Sequence, residues 1–231
     1  MVYGKFVCWI KMAEKDFQLW MEAISGPGAS IQESQKAYGK WARTYEQDAE
    51  KYRFNNHIKV AEILQDLFQE NQRDKIRILD IGAGTGLVAK ELKKYGFRHI
   101  DALEPSEAMA DEARKFNLYE NYFLEFITGS PLSISANTYD VLTGGGIYAK
   151  EAHVPCAAVH EMIRLVKPGG FVVLVANLDL IRASKNYTDL EPLMEKLEME
   201  GKWKRVLRET WIARSVENKT IERIAWCFNV L

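Results

Sequence analysis

The clearest pattern in the chain is a change of period around residue 82. Ile76, Ile78, Leu79 and Ile81 form a short apolar run beside the charges of Lys75 and Arg77. A run of that length predicts a buried strand in a mostly parallel sheet. Gly82, Gly84 and Gly86 then occupy alternate positions, and the pattern from Leu87 to Tyr95 turns helical. Strand, tight glycine turn and helix open a doubly wound α/β sheet, and the turn lies at the strand's carboxyl end, where such sheets bind ligands. A side chain there would block close approach or forbid positive φ.

Other elements follow from the same patterning. Tyr38, Trp41, Ala42, Tyr45 and Ala49 place an aromatic stripe along one helix over Ile31–Tyr52, and His57–Phe68 is amphipathic, with His57 a surface or capping residue. Gly96 closes the helix after the glycine turn. His99–Glu104 reads as a second strand ending in an acid, with Ser106 capping a helix over Glu107–Phe116. Tyr122–Thr128 and Asn137–Thr143 give a third strand and a turn with a fourth, the latter followed by Gly144, Gly145 and Gly146. A helix over Val154–Val166 starts with Pro155, and Lys167-Pro168-Gly169-Gly170 turns it into a fifth strand, Phe171–Ala176. Leu190–Glu200 is a helix stopped by Gly201; Trp203–Ala213 and Ile221–Val230 are β segments about a turn at Glu217-Asn218-Lys219. Phe17–Ile24 reads as a short helix ended by Ser25-Gly26-Pro27-Gly28.

The glycine spacing selects the ligand. Gly82, Gly84 and Gly86 are spaced G-x-G-x-G, whereas a dinucleotide turn needs G-x-G-x-x-G and would meet Leu87 at its third glycine. Asp80 precedes the first glycine and disfavours a pyrophosphate; it suits a cation such as the sulfonium of S-adenosylmethionine. Glu104, at the tip of the next strand, either accepts the ribose hydroxyls or caps the following helix, for which Ser106 is the better cap. Gly144, Gly145 and Gly146 serve either close approach to the cofactor or a flexible loop. Tyr148, Lys150, Glu151 and His153 are the polar members of the next loop, where substrate would lie, and Asn177 and Asp179 emerge at the same sheet edge. Tyr38 and Tyr45 read equally as core or as a cap over the cofactor; Trp41 leans towards core but neighbours the acceptor side.

Residues Asp80 to Gly86 match D-x-G-x-G-x-G, and the stretch resembles motif I of the class I S-adenosylmethionine-dependent methyltransferases. Tyr38-Gly39-Lys40-Trp41-Ala42-Arg43-Thr44-Tyr45 resembles that family's Y-D-x-W-A-x-x-Y segment, with Gly39 in place of the usual acid. Pro105-Ser106-Glu107-Ala108-Met109 resembles its D-x-S-x-x-M continuation, Tyr139-Asp140-Val141-Leu142 its Y-D-x-V, and Arg164-Leu165-Val166-Lys167-Pro168-Gly169-Gly170 its post-motif turn. Val154-Pro155-Cys156, Gly201-Lys202-Trp203 and the Ile78–Ala89 run look closest to the Williams–Beuren-region methyltransferase-like proteins. The resemblance implies a Rossmann-like, doubly wound, seven-stranded, mostly parallel sheet with an antiparallel C-terminal hairpin. It implies S-adenosylmethionine as cofactor, held by Ala83 and Thr85 with the motif glycines, and Met109 packing beside Pro105 on the adenine unless it is ordinary core. Many relatives carry an acid after the third strand for the adenine amino group; Gly129 and Ser130 stand there instead, so Ser130 or a backbone carbonyl would take that contact. No acceptor is implied.

Length and charge bound the rest. The chain has 231 residues and a formal net charge of −1, no general electrostatic footprint for nucleic acid. Cys8, Cys156 and Cys227 are scattered and form no metal spacing, which indicates a reducing compartment, cytoplasmic or also nuclear. No run approaches a membrane span. The expected organisation is an N-terminal extension over residues 1–30 and one domain over 31–231, with a helical cap at 31–72, a cofactor-binding core at 73–177 and a C-terminal helix and hairpin at 178–231. The expected activity is methyl transfer by in-line displacement to O, N or S of a small molecule, with a protein acceptor or a non-catalytic S-adenosylmethionine-binding role as alternatives. His153 is the candidate general base, set against an ordinary solvated loop histidine.

Overall fold

The computed structural model describes residues 30–149, 153–214 and 220–231. The expected helix at Phe17–Ile24, the turn at Ser25–Gly28, Cys8, the loop members Lys150 and Glu151 and the turn at Glu217–Lys219 lie outside the described residues. Helices α1 (Ile31–Trp41), α2 (Tyr45–Lys51) and α3 (Asn56–Leu67) precede β1 (Arg77–Ile81). Then come α4 (Leu87–Lys94), β2 (His99–Leu103), α5 (Glu107–Arg114), β3 (Tyr122–Phe123), β4 (Tyr139–Gly145), α6 (Ala158–Leu165), β5 (Val166–Asn177), α7 (Leu178–Ala183), α8 (Leu190–Met199), β6 (Trp203–Arg214) and β7 (Thr220–Val230).

The strands form one seven-stranded sheet in the order β3-β2-β1-β4-β5-β7-β6. Pairs from β3 through β5 are parallel; β7 pairs antiparallel with both β5 and β6. Chain order reverses between β1 and its neighbours β2 and β4, which makes the carboxyl end of β1 the topological switch point.

The strand period of two sorts the core onto two faces. Leu79, Leu142, Leu174 and Trp226 join Met162 and Leu197 on one side. Ile78, Val141, Val173 and Ala225 join Val60, Leu64 and Leu92 on the other. Trp203 anchors the first face: it is fully buried, stacks on Phe228 at a centroid distance of 4.0 Å, and donates its indole N–H to the Met194 carbonyl at 3.0 Å. Trp203→Ala is therefore expected to lower the unfolding free energy by about 3–5 kcal/mol, read from urea denaturation; a loss below about 1 kcal/mol would mean that the site collapses around the void.

Three elements differ from the sequence expectation. The helix expected over Ile31–Tyr52 breaks at residues 42–44. Folding α2 back lets the buried Trp41 indole donate to Asp48 at 2.7 Å, with Tyr45 and Phe54 edge-on to its ring. The third strand keeps only Tyr122 and Phe123, because Phe126 and Ile127 leave the sheet to wall a cleft. The helix expected from Val154 starts at Ala158, and β5 already starts at Val166. A register shift against β4 between Tyr139 and Val141 accommodates Lys167-Pro168-Gly169-Gly170.

Candidate active site

The glycine turn after β1 is built on left-handed backbone, with φ of +61° at Gly82, +55° at Gly84 and +93° at Gly86. The Leu103 carbonyl accepts from the Gly82 N–H at 2.8 Å and ties the turn to β2. Glu104 completes the tie: its Oε2 accepts from the Gly84 N–H and its Oε1 from the Ser106 N–H, each at 2.8 Å. The carboxyl is buried, and burial pushes it up to about 7 although both N–H donors pull it down. Asp80 lies beneath the turn and does not line the cleft. It accepts from the Tyr119 hydroxyl at 2.7 Å and from Thr143 at 3.0 Å, and burial pushes it, too, up to about 7.

Above the turn is a cleft with two compartments that share Tyr38, Tyr45, Gly82, Gly84, Gly145 and Gly146. Glu104, Pro105, Met109, Phe126, Ile127 and His153 line the first. The second is lined by Asn56, His57, Thr85, Tyr148, Asn177 and Arg223, with Trp41 and Ala83 also in its wall. Tyr38 and Tyr45, from α1 and α2, stand between the two. Burial holds the Tyr38 hydroxyl well above the usual tyrosine range and pushes Tyr45 up to about 12, so both remain protonated. The Tyr38 hydroxyl lies 2.8 Å from His153 Nε2, and the two rings meet edge-on.

The sequence-predicted residues thus fall into two groups. Tyr38, Trp41, Tyr45, Gly82, Ala83, Gly84, Thr85, Glu104, Pro105, Met109, Gly145, Tyr148, His153 and Asn177 meet in the cleft wall. Asp80, Gly86, Gly129, Ser130 and Gly144 stay outside it. Gly86 packs against Leu118, Gly129 faces Ala157, and Gly144 makes room for Ile147 and Leu174. Ser130 is exposed and gives its N–H to Thr128 Oγ1 at 3.1 Å. Asn177 accepts from the Asp179 and Leu180 N–H groups and so caps α7.

Sequence reasoning missed Asn56, Phe126, Ile127 and Arg223, and placed His57 on the surface. His57 lines the second compartment, where burial pulls its pKa down and favours the neutral ring. Arg223 carried a signal: it is the cation nearest the apolar run Ile224 to Phe228. For Phe126 and Ile127 the strand-like pattern hid their departure from the sheet.

A family model described as a methyltransferase domain matches residues 50–228. The chain belongs to this methyltransferase family. Human methyltransferase-like protein 27 is 30% identical over 168 residues, which are 72% of this chain and 66% of that protein. A malonyl-[acyl-carrier protein] O-methyltransferase of Halalkalibacterium halodurans is 32% identical over 143 residues, 57% of this chain and 52% of its own length. The chain therefore covers less than two thirds of each of these relatives. Among solved structures, an S-adenosylmethionine-dependent methyltransferase of Methanosarcina mazei shares 16% identity with a TM-score of 0.51, over 73% of this chain and 97% of that one. Another from Thermotoga maritima shares 19% with a TM-score of 0.51, over 82% and 97%. At these identities the likeness shows the fold, a Rossmann-like methyltransferase sheet. The resemblance read from motif I and the expected sheet with its antiparallel hairpin are both borne out. Among the described residues, no helix of this methyltransferase is long and apolar enough to cross a membrane.

Proposed function

We propose that the chain is an S-adenosylmethionine-dependent methyltransferase acting on a small molecule. The observation that carries this reading is the buried Glu104 carboxylate, bound to the glycine turn and exposed only to the first compartment. The residues present fit the cofactor. A Cβ on Gly84 would meet nothing nearer than the Gly82 carbonyl at 3.9 Å, so this glycine leaves open space in the cleft. Thr85 Oγ1 is buried in the second compartment with no hydrogen-bond partner among the described residues, ready for the amino-acid end.

In this reading Glu104 accepts the ribose hydroxyls, Pro105 and Met109 flank the adenine, and the Phe126–Ile127 backbone meets its edge in place of the exposed Ser130. The glycine turn and Gly145 bear on the amino-acid end. Tyr38 and Tyr45 place aromatic faces beside the positive centre, an arrangement worth about 0.5–2 kcal/mol. When bound, S-adenosylmethionine would supply a sulfonium methyl whose bond to sulfur breaks, its electron pair staying on sulfur, as a bond to an acceptor O, N or S forms in line. The chain's own contribution is alignment and exclusion of water, which good orientation can make worth about 7–11 kcal/mol. Residues 31–72 act as the cap, 73–177 as the cofactor core and 178–231 complete the sheet. Cys156 and Cys227 are free thiols, in keeping with work in a reducing, cytoplasmic or nuclear setting.

Where the acceptor must lose a proton, the Tyr38 oxygen takes it as the Tyr38 hydroxyl proton passes to His153 Nε2 2.8 Å away, which leaves Tyr38 neutral and His153 protonated. His153→Gln is then expected to slow transfer of labelled methyl groups by about 100-fold or more, well beyond any loss of cofactor affinity; an unchanged rate would assign both residues to the cleft wall alone. Calorimetry with S-adenosylhomocysteine and with NAD tests the cofactor: binding of the first and not the second is expected, and binding of NAD alone would overturn the reading.

A further inference from the structure

The two compartments differ in charge. The first contains Glu104 and Glu125, whereas among the described residues no Asp or Glu lines the second. Arg223 does, and it is 4% exposed. It reaches the cleft from β7, opposite Asn177 of β5. Among the described residues its guanidinium donates to neutral groups: Nη1 to the Asn56 side-chain oxygen and Nη2 to the Arg53 carbonyl at 3.2 Å. Nε has no hydrogen-bond partner among the described residues, and no carboxylate among them pairs with the group. Burial without a counter-charge pulls its pKa below the ordinary arginine value.

A buried cation that meets only neutral dipoles carries an uncompensated desolvation cost. Its planar fork suits a carboxylate. The methyl-donating centre lies at the junction of the compartments in the function proposed above; the cofactor's amino-acid end takes the part of the second compartment beside Thr85 and the glycine turn, and the part beside Asn56, Asn177 and Arg223 is left to the acceptor. We propose that the methyl acceptor carries a carboxylate, and that Arg223, supported by Asn56, is the residue that selects it. This rests on the methyltransferase reading, and it makes Arg223 a specificity determinant that holds the acceptor without taking part in methyl transfer.

The test uses the full chain saturated with S-adenosylhomocysteine, titrated calorimetrically with acetate, benzoate and 4-phenylbutyrate, and with the amide of each. At least one acid is expected to bind at least ~10-fold more tightly than its amide. Arg223→Gln should abolish that preference, and Arg223→Lys should keep part of it. Affinity for S-adenosylhomocysteine should stay within about threefold in both variants. The proposal falls if every acid binds no better than its amide, if none binds, or if Arg223→Gln binds the acid as the wild type does. It also falls if Arg223→Gln loses ~10-fold in affinity for S-adenosylhomocysteine but none for 5′-methylthioadenosine, because the anion met by Arg223 is then the cofactor's own carboxylate. Should Arg223→Gln not fold, the wild-type acid–amide comparison and Arg223→Lys decide. Failure of the wild type to bind S-adenosylhomocysteine at all is a separate result that removes the methyltransferase reading first.

Discussion

Glu104→Ala is expected to weaken binding of S-adenosylhomocysteine at least ~10-fold, from the loss of charge-assisted hydrogen bonds. The side chain has two tasks, and alanine ends both. It holds the Gly84 and Ser106 N–H groups, which shape the turn, and it offers its remaining lone pairs to the cleft. Glu104→Gln separates them, because the amide keeps the shape and one acceptor but presents an N–H₂ group to one of the two backbone donors. The pH dependence adds a second readout. Burial raises the carboxyl to about 7 in the unliganded protein, whereas hydroxyl donors favour the ionised form. Affinity should therefore fall as pH drops through 7. Stability of the unliganded fold runs the other way. A carboxyl whose folded pKa is raised contributes stability that is present below the ordinary carboxylate value and is lost as pH rises through about 7, and Asp80 adds the same trend. Melting temperatures with and without S-adenosylhomocysteine between about pH 5 and pH 8 should thus separate progressively as pH rises. In Glu104→Gln the pH-dependent part of that separation should shrink. A separation that stays constant in the wild type would remove Glu104 from the binding site.

What could be read from the residues, and what could not, follows from the range of the interactions. The switch from strand to helix across Gly82–Gly86 is local, and it alone predicted β1, α4 and the position of the cleft. Glu104 was legible for the same reason: it ends an apolar strand and is followed by its own capping serine. The part played by Asp80 was not legible, because a strand residue's partners come from other strands and loops. Tyr119 and Thr143 turn its carboxylate into a brace under the turn, and its place before the glycines did not show this. Gly129 and Ser130 were expected at the cofactor by analogy with an acid in relatives; a third strand of only Tyr122 and Phe123 lets Phe126 and Ile127 take that wall. Arg223 depends on a pairing at the far end of the chain, Asn177 against Arg223. No local period reports such a register. The triple glycine reads as close approach to a ligand or as a flexible loop, but Gly144 yields to Ile147 and Leu174, Gly145 approaches Val88, and Gly146 takes φ of +88°. Much of its bareness is packing, and only Gly145 and Gly146 face the cleft.

That distinction gives the second large effect. Gly84 and Gly86 are equal members of the sequence motif, yet alanine at each should fail for different reasons. At Gly86 an added Cβ would stand 2.3 Å from Leu118 Cδ1 and 3.5 Å from Ala113 Cβ, with φ at +93°. Leu118 and Ala113 are buried and have little room to move. The backbone penalty of roughly 1–2 kcal/mol and the overpacking penalty of roughly 1–3 kcal/mol then add to about 2–5 kcal/mol. At Gly84 the Cβ meets only the Gly82 carbonyl at 3.9 Å, at φ of +55°, so Gly84→Ala should cost the backbone share alone, about 1–2 kcal/mol. In the proposed function its methyl group, however, enters the cleft where the cofactor would meet the turn. Gly96, with φ of +92° and nothing within 4 Å of an added Cβ, provides the control for backbone strain without either neighbour. Urea denaturation of the three alanine variants should rank Gly86 as far the most damaging, with Gly84 and Gly96 similar. Calorimetry with S-adenosylhomocysteine should reverse the order among the folded variants: Gly96→Ala should bind as the wild type does, and Gly84→Ala at least ~10-fold more weakly. If Gly84→Ala keeps full affinity, the space above the turn is not where the cofactor lies, and the bare α-carbon there serves only the left-handed bend.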